Sequence, residues 1–460
     1  MQKKAAAFFY EVIPNRIHFN RGEFLLNRKI LRLAIPNIVS NLTIPLVGLV
    51  DTWLMGHLSD SIYIGAVALG SVIFMFLYSV FGFLRASTTG FAAQQYGARR
   101  LDETIAVLGQ GMFVALAGAA LLLLLQSPLK QWSFQWMEGS PDVEELAGAY
   151  FSIRIWAAPA ALANYVLSGW FIGMQNARSP MVVALVVNLL NIAFSMFFVL
   201  QGGMQSNGVA LGTVVAQYGG LITAFFMFFR YYRKLLKYWS LNLIMRLERF
   251  KLFFRVNKDI LIRSVLLTGT FFYFTTYSAK LGDNILNINS LMLQFLWILS
   301  YFIDGFAYAA ESLVGRAYGA GSSRMLRQVV LRIFIISGFL SALFSLLYGF
   351  FYLDLFSVLT DKIDLLEQVR QYRWWIWLMP VISFAAFVWD GIYIGALASV
   401  ALRNSMIVSS LFVFLPVIYA SPRSFGNHGL WLALLGFLLA RGLMLSFLYR
   451  KSVLLPLERP

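Results

Sequence analysis

The sequence contains no cysteine, only three histidines and few charged residues. The missing thiols exclude disulfides, thiolate metal sites and cysteine nucleophiles, and His18, His57 and His428 lie too far apart in sequence to form a metal motif. There is no Gly-x-x-x-x-Gly-Lys-Ser/Thr loop for ATP, and neither His-Glu-x-x-His nor Gly-x-Ser-x-Gly occurs. These absences argue against an enzyme, and we expect neither a cofactor nor a bound metal.

Hydrophobic residues make up 59% of the 460 residues, and charged residues make up 13%. That charged share is about half of the usual one in soluble proteins. The apolar runs reach roughly 20 residues, the length that a helix needs to cross a bilayer, where the backbone must pair internally. This composition predicts an all-α integral membrane protein and nearly excludes a nucleic-acid partner. We assign the formal net charge of +16 to membrane topology, because Lys and Arg gather in cytoplasmic loops.

The apolar runs predict twelve transmembrane helices. They lie at about 31–56, 63–94, 104–126, 146–173, 180–200, 208–230, 260–281, 285–315, 326–350, 366–395, 402–420 and 428–449. The connections between them alternate between rich and poor in Arg and Lys, which predicts that both termini are cytoplasmic. We expect a multi-pass protein of the inner (plasma) membrane.

One long basic connection divides the chain into two halves. The expected organisation is a cytoplasmic leader (1–30), an N-terminal six-helix lobe (31–230), a basic cytoplasmic linker (231–259), a C-terminal six-helix lobe (260–450) and a cytoplasmic tail (451–460). The linker mixes Lys and Arg with Trp, Tyr, Leu and Phe, a composition typical of a segment that lies on an anionic leaflet. We favour a role as linker and membrane anchor over a regulatory site.

The two halves repeat each other. Tyr96-Gly97-Ala98 recurs as Tyr318-Gly319-Ala320, and Gly169 to Gly173 recurs as Gly391 to Gly395, in both cases 222 residues later. Landmarks at one constant offset indicate a duplication. Six helices per copy is an even number, so the copies enter the membrane in the same direction. Parallel repeats of this kind are typical of transporters.

The first lobe has one acidic residue inside a predicted span, Asp51. Its helix also contains Pro36 and Pro45, and Pro45 leaves a backbone carbonyl without its usual partner, so the helix can bend there. Removal from water favours the protonated form of a carboxyl group, which would let Asp51 carry a proton. The alternative is that Asp51 only ends its helix near the outer interface.

Amides and hydroxyls of neighbouring predicted helices are candidates for the same site. Asn188, Asn191 and Ser195 share one helix face, which we expect to face Asp51. Asn164 and Thr213 could complete the pocket, although hydrogen bonding between helices is an equally good explanation for each.

The second lobe places acids and phenols on one stripe of its second helix: Tyr301, Asp304, Tyr308 and Glu311. In a cavity, this combination would attract a cation by charge and by the ring faces. Asp390 adds a third acid. The competing explanation for the acids is structural pairing with Arg85, Arg154 or Arg441, because buried charges are usually paired.

Several longer strings resemble the multidrug and toxic compound extrusion (MATE) family, most closely its DinF-like branch. They are Pro36–Asn41, Gly48–Thr52, Gly56–Leu58, Leu84–Gly90, Gln94–Ala98, Asp304–Glu311 and Trp389–Gly395. The resemblance implies twelve helices in two lobes and export of amphipathic, often cationic compounds in exchange for protons or sodium ions.

On this pattern Asp51 matches the coupling aspartate of the family, with Asn164, Asn191 and Thr213 around it. The family commonly has a second aspartate where Ser195 stands here. The missing acid favours protons over sodium as the coupling ion.

The resulting prediction is a proton-coupled multidrug exporter that acts as a monomer on small substrates, surrounded by membrane lipids. Asp51 is ionised when the cavity opens inward, and protonation from outside bends the first helix at Pro45. One alternative is a flippase for lipids or lipid-linked oligosaccharides, which would need an Arg-lined cavity for pyrophosphate. Another is an intramembrane enzyme acting on a prenyl lipid, for which Asp361 and Asp364 have metal-binding spacing but fall in a predicted outside loop.

Overall fold

The structure is a computed structural model that describes residues 21–58, 60, 62–135, 140–421 and 425–458. Within these ranges the chain is helical and contains no β-strand. Twelve helices are long and apolar enough to cross a membrane, which confirms the predicted number. Residues 1–20 of the predicted leader and the last two residues of the predicted tail lie outside the described residues.

We number these helices α1 to α12 in chain order. They are α1 Phe24–Gly56, α2 Ile62–Gly97, α3 Leu101–Leu124, α4 Pro141–Gly173, α5 Arg178–Gln201, α6 Gln205–Tyr238, α7 Leu247–Lys280, α8 Asp283–Gly319, α9 Ser323–Leu359, α10 Ile363–Gly395, α11 Ser399–Ala420 and α12 Gly426–Glu458. Each overlaps its predicted span. α7 begins 13 residues before the predicted start, because Lys and Arg can keep their charged ends in water while their stems stay in a helix.

Several of the helices contain local breaks. α4 passes through a 3-10 turn at Ile155–Ala157 and continues into a segment with a proline in its first turn, where a missing N–H is tolerated. π-helical turns end α5 at Phe197–Gln201 and interrupt α11 at Ser410–Phe414. α1, in contrast, is continuous through both of its prolines.

The described residues form two compact units. One consists of the residues up to Ile38 together with those from Phe254 onward, and the other is Val39–Phe253. The division falls within α1, between Ile38 and Val39, so this helix contributes to both units.

The duplication is visible in how closely the helices approach within each unit. A Cβ atom built on Gly169 of α4 would overlap the carbonyl of Arg85 on α2, and one built on Gly391 of α10 would overlap the carbonyl of Ala307 on α8. Both members of the second pair lie 222 residues after their counterparts. Only glycine permits this approach. The repeat found in the sequence therefore preserves a backbone contact.

The chain reversals after these helices repeat as well. Arg99 follows α2 with φ of 59°, and Gly321 follows α8 with φ of 64°. Gln175 after α4 and Leu397 after α10 have φ of 61° and 55°. A left-handed residue just past a helix end is a common way to terminate a helix. Each pair again differs by 222 positions, so the two copies turn the chain in the same way.

Candidate functional site

Asp51 lies near the end of α1, five residues before Gly56. Its side chain is half-buried, and its Oδ1 is shielded from solvent without a hydrogen-bond partner among the described residues. The structure therefore gives this carboxylate no capping hydrogen bond through Oδ1. Leaving a buried acceptor unpaired is costly, and protonation or binding of a cation reduces that cost.

The predicted polar stripe on α5 contacts both α1 and α6. Asn188 donates from Nδ2 to Thr43 Oγ1 of α1 at 2.6 Å. Asn191 donates from Nδ2 to Thr213 Oγ1 of α6 at 2.9 Å, and the Thr213 hydroxyl donates a hydrogen bond to the Val209 carbonyl. Of the stripe, Asn188 thus contacts the helix that carries Asp51, and Asn191 contacts α6.

Asn164 of α4 joins α6 rather than α5. Its Nδ2 donates to the Gln217 carbonyl at 3.1 Å and lies 3.3 Å from Gln217 Oε1. The sequence did not identify Gln217 as a member of this group. A signal was present, because Gln217 follows Thr213 by four residues and so lies on the same helix face.

The oxygens of these polar groups share one property. The side-chain amides of Asn164 and Asn191 donate within the protein. The following oxygens are buried without a hydrogen-bond partner in the described part of the chain: Asp51 Oδ1, Asn164 Oδ1, Asn191 Oδ1 and Ser195 Oγ. All four lie in the Val39–Phe253 unit. Such a set of acceptors suits a proton carried on a carboxyl group or a small cation. Among the described residues, no group of three or more His, Asp or Glu could hold a metal ion.

The contacts of Arg154 in the same unit were not predicted. The Arg154 guanidinium donates to Ser71 Oγ at 3.1 Å and to the Tyr150 hydroxyl, and it lies 4.9 Å from the centre of the Phe74 ring. Its charge also acts on Asp51. The sequence made Arg154 a possible partner for acids of the second lobe, whereas its contacts here are to α2 and to its own helix.

The second-lobe stripe on α8 is partly buried. Glu311 is 1% exposed, and Tyr301, Asp304 and Tyr308 are half-buried. Ser300 Oγ donates to Asp304 Oδ2 at 2.9 Å, one turn away on the same helix. The role of these four residues in binding a cation stays a prediction.

Asp390 is held by two arginines. Its Oδ2 accepts from Arg263 Nη2 of α7 at 3.0 Å and from Arg441 Nη2 of α12 at 2.7 Å. Arg441 is 1% exposed, so this carboxylate joins three helices through a nearly dry ion pair. This geometry agrees with the alternative that Asp390 forms a structural ion pair with Arg441. The sequence did not suggest Arg263 as a second partner.

Comparison with known proteins gives matches along most of the chain. A family model described as MatE matches residues 36–197 and again residues 260–420. The sequence is 37% identical over 429 residues to DNA damage-inducible protein F of Escherichia coli (strain K12), covering 92% of both chains. It is 24% identical to Multidrug and toxin extrusion protein 1 of Danio rerio, covering 92% of this chain and 72% of that one.

Solved structures show the same fold. A MATE protein in the bent conformation aligns with a TM-score of 0.83 at 18% identity, covering 96% of this chain and 99% of that one. An outward-facing multidrug resistance MATE family transporter of the MOP superfamily aligns with a TM-score of 0.82 at 20% identity, covering 96% of this chain and all of that one.

Proposed function

Because the chain belongs to the MatE family, we propose that it exports amphipathic, often cationic compounds in exchange for an ion, with protons favoured over sodium. Its twelve membrane-crossing helices and its Escherichia coli relative make it a multi-pass protein of the inner membrane. MatE is a family of membrane transporters, and we expect this member to act as a monomer on small substrates, surrounded by lipid and without a cofactor.

One observation carries the choice of proton. Among the described residues, Asp51 Oδ1 is buried without a hydrogen-bond partner, and so is Oγ of Ser195, the position where the family resemblance leads us to expect a second acid. A single carboxylate gains a hydrogen-bond donor by taking up a proton, and it offers a sodium ion only one negative charge.

The transport cycle then follows from the two forms of Asp51. The ionised form accompanies the inward-open, drug-loaded protein, and protonation from outside removes the charge and releases the drug. We place the accompanying bend of α1 at Pro45, which has no N–H to donate to the Asn41 carbonyl. Related proteins have been solved in bent and straight conformations, which supports such a movement in this fold.

The test is ethidium efflux from proteoliposomes under an imposed pH gradient and, separately, under an imposed sodium gradient. We expect the pH gradient to drive efflux. Asp51→Asn should abolish efflux while the folded protein stays in the membrane. Asp60→Asn is the matched control, because Asp60 is an exposed acid just after α1 and its loss should change little.

A gain-of-function variant sharpens the choice of ion. Ser195→Asp restores a second acid to the first-lobe site, and we expect sodium-driven efflux to increase relative to pH-driven efflux. Full efflux by Asp51→Asn, or efflux by the unaltered protein under a sodium gradient alone, would reject proton coupling through Asp51.

A further inference from the structure

The segment that connects α6 to α7 is folded onto α3. We call residues 233–246 the connecting segment. It begins with the 3-10 turn that ends α6, Arg233–Tyr238, and it contains a short helix, Leu241–Ile244. Ile244 is 4% exposed, and its carbonyl accepts a hydrogen bond of 3.0 Å from Gln110 Nε2 of α3. A Cβ atom on Gly109 would lie only 2.5 Å from Ile244 Cδ1. The missing side chain at position 109 therefore makes room for the segment.

A second set of contacts follows directly after the connecting segment. Arg249 forms an ion pair with Glu103 of α3, and both side chains are largely shielded from solvent. Phe250 packs edge-on against Phe113 of α3, with ring centres 5.7 Å apart. All of these contacts lie within the Val39–Phe253 unit, so the connecting segment has a defined position on α3.

The exposed side chains of the connecting segment include four basic ones. Arg233, Lys234, Lys237 and Arg246 are exposed, and none forms an ion pair with a carboxylate of the described residues. Residues 230–258 contain nine Arg and Lys but only one acid, Glu248. The positive charge of this surface is therefore not neutralised within its own stretch of chain.

Large apolar side chains are exposed among these charges. Trp239 is 44% exposed, Leu241 67% and Met245 54%. Basic groups interspersed with Trp, Leu and Met match the boundary between lipid headgroups and acyl chains, where charges meet phosphates and apolar side chains leave water. A nucleic acid or an acidic protein would match the charges but would leave these apolar side chains in water.

We propose that the connecting segment binds anionic phospholipid headgroups at the membrane surface and presents them at a fixed place beside α3. Membrane topology alone requires only positive charge in a loop. It does not require the loop to dock through Ile244, Gln110 and the Arg249–Glu103 pair. The docked arrangement gives the segment that carries these four exposed cations a defined place beside α3.

The experiment measures which lipids the full-length protein retains. The protein is reconstituted in vesicles of phosphatidylcholine and phosphatidylglycerol and then purified, and the bound lipids are quantified by mass spectrometry. We expect phosphatidylglycerol to be enriched over its share in the vesicle. The variant Arg233→Gln, Lys234→Gln, Lys237→Gln, Arg246→Gln should lose this enrichment, by up to about five-fold for each charge that touches the surface.

A matched control removes four charges elsewhere on the side predicted to be cytoplasmic: Arg99→Gln, Arg100→Gln, Arg324→Gln, Lys451→Gln. All four are exposed, and we expect this variant to keep the enrichment. Equal loss in both variants, or no loss in the connecting-segment variant, would overturn the proposal. Displacement of the lipid by inorganic phosphate, beyond the effect of chloride at equal ionic strength, would overturn the assignment to a lipid surface.

A third variant tests the docking and keeps every charge. Gly109→Val with Gln110→Leu fills the space under Ile244 and removes its hydrogen bond. We expect a lipid enrichment several-fold weaker than in the unaltered protein. Unchanged enrichment would contradict the claim that lipid binding requires the connecting segment to be docked on α3. The lipid measurement needs no transport, so it can succeed or fail independently of the proposed drug export.

Discussion

Replacing Asp390 by Asn removes the carboxylate to which both Arg263 and Arg441 donate. We expect the free energy of unfolding to fall by about 3–5 kcal/mol, the usual cost of breaking a buried ion pair by deleting one partner. The upper part of that range applies here, because Arg441 is 1% exposed and two like charges are left facing each other without the acid between them.

The assay is equilibrium unfolding of the purified protein in mixed micelles with increasing denaturing detergent. Glu458→Gln is the matched control, because it also breaks one Arg–carboxylate pair. That pair, with Arg327, is 50% and 33% exposed on its two side chains. Solvent screens such a pair, and we expect its loss to lower the free energy of unfolding by only about 0–1 kcal/mol.

The result decides between two roles for Asp390. A large loss of stability, with the remaining folded protein still transporting drug, supports the structural ion pair. Unchanged stability together with lost transport would refute this reasoning and return Asp390 to the substrate cavity.

Two further predictions follow from the backbone. Gly391→Ala should sharply reduce the yield of folded protein, because its Cβ would overlap the backbone of Ala307. Gly48→Ala should be tolerated, because apart from its chain neighbours and its own helix backbone no atom lies within 4 Å of its Cβ. Size-exclusion chromatography of a fluorescent fusion measures both yields, and equal yields would contradict the close approach. Pro45→Ala should stabilise the helical form of α1 by up to about 3 kcal/mol. It should also slow ethidium efflux, because a straighter helix resists bending. An unchanged efflux rate would contradict a bend of α1 at Pro45.

The number and order of the helices could be predicted because the bilayer imposes a minimum length on every apolar run. The exact ends of the helices could not be predicted in this way. α7 begins at Leu247, inside the basic stretch that the sequence assigned to a linker, since a charged helix can continue into the interface. The duplication could also be recognised from the sequence, because two copies of one scaffold keep the same spacing between their glycines.

The sequence indicated which polar residues of the first lobe share a helix face, but it did not indicate which of them pair with each other. The spacing of Asn188 and Asn191 fixes their shared face, yet nothing in it indicates that Thr43 accepts from Asn188. Arg263 was missed as a partner of Asp390 because 127 residues separate them. Such pairings depend on how whole helices are placed, which local sequence patterns do not encode.

The close approach of Gly391 to Ala307 mirrors that of Gly169 to Arg85, although the residues approached differ in size and charge. After a gene duplication, both copies can keep the same close helix–helix approaches while the side chains around them diverge. Evolution could thus assign separate tasks to the two halves without inventing a new fold for either one.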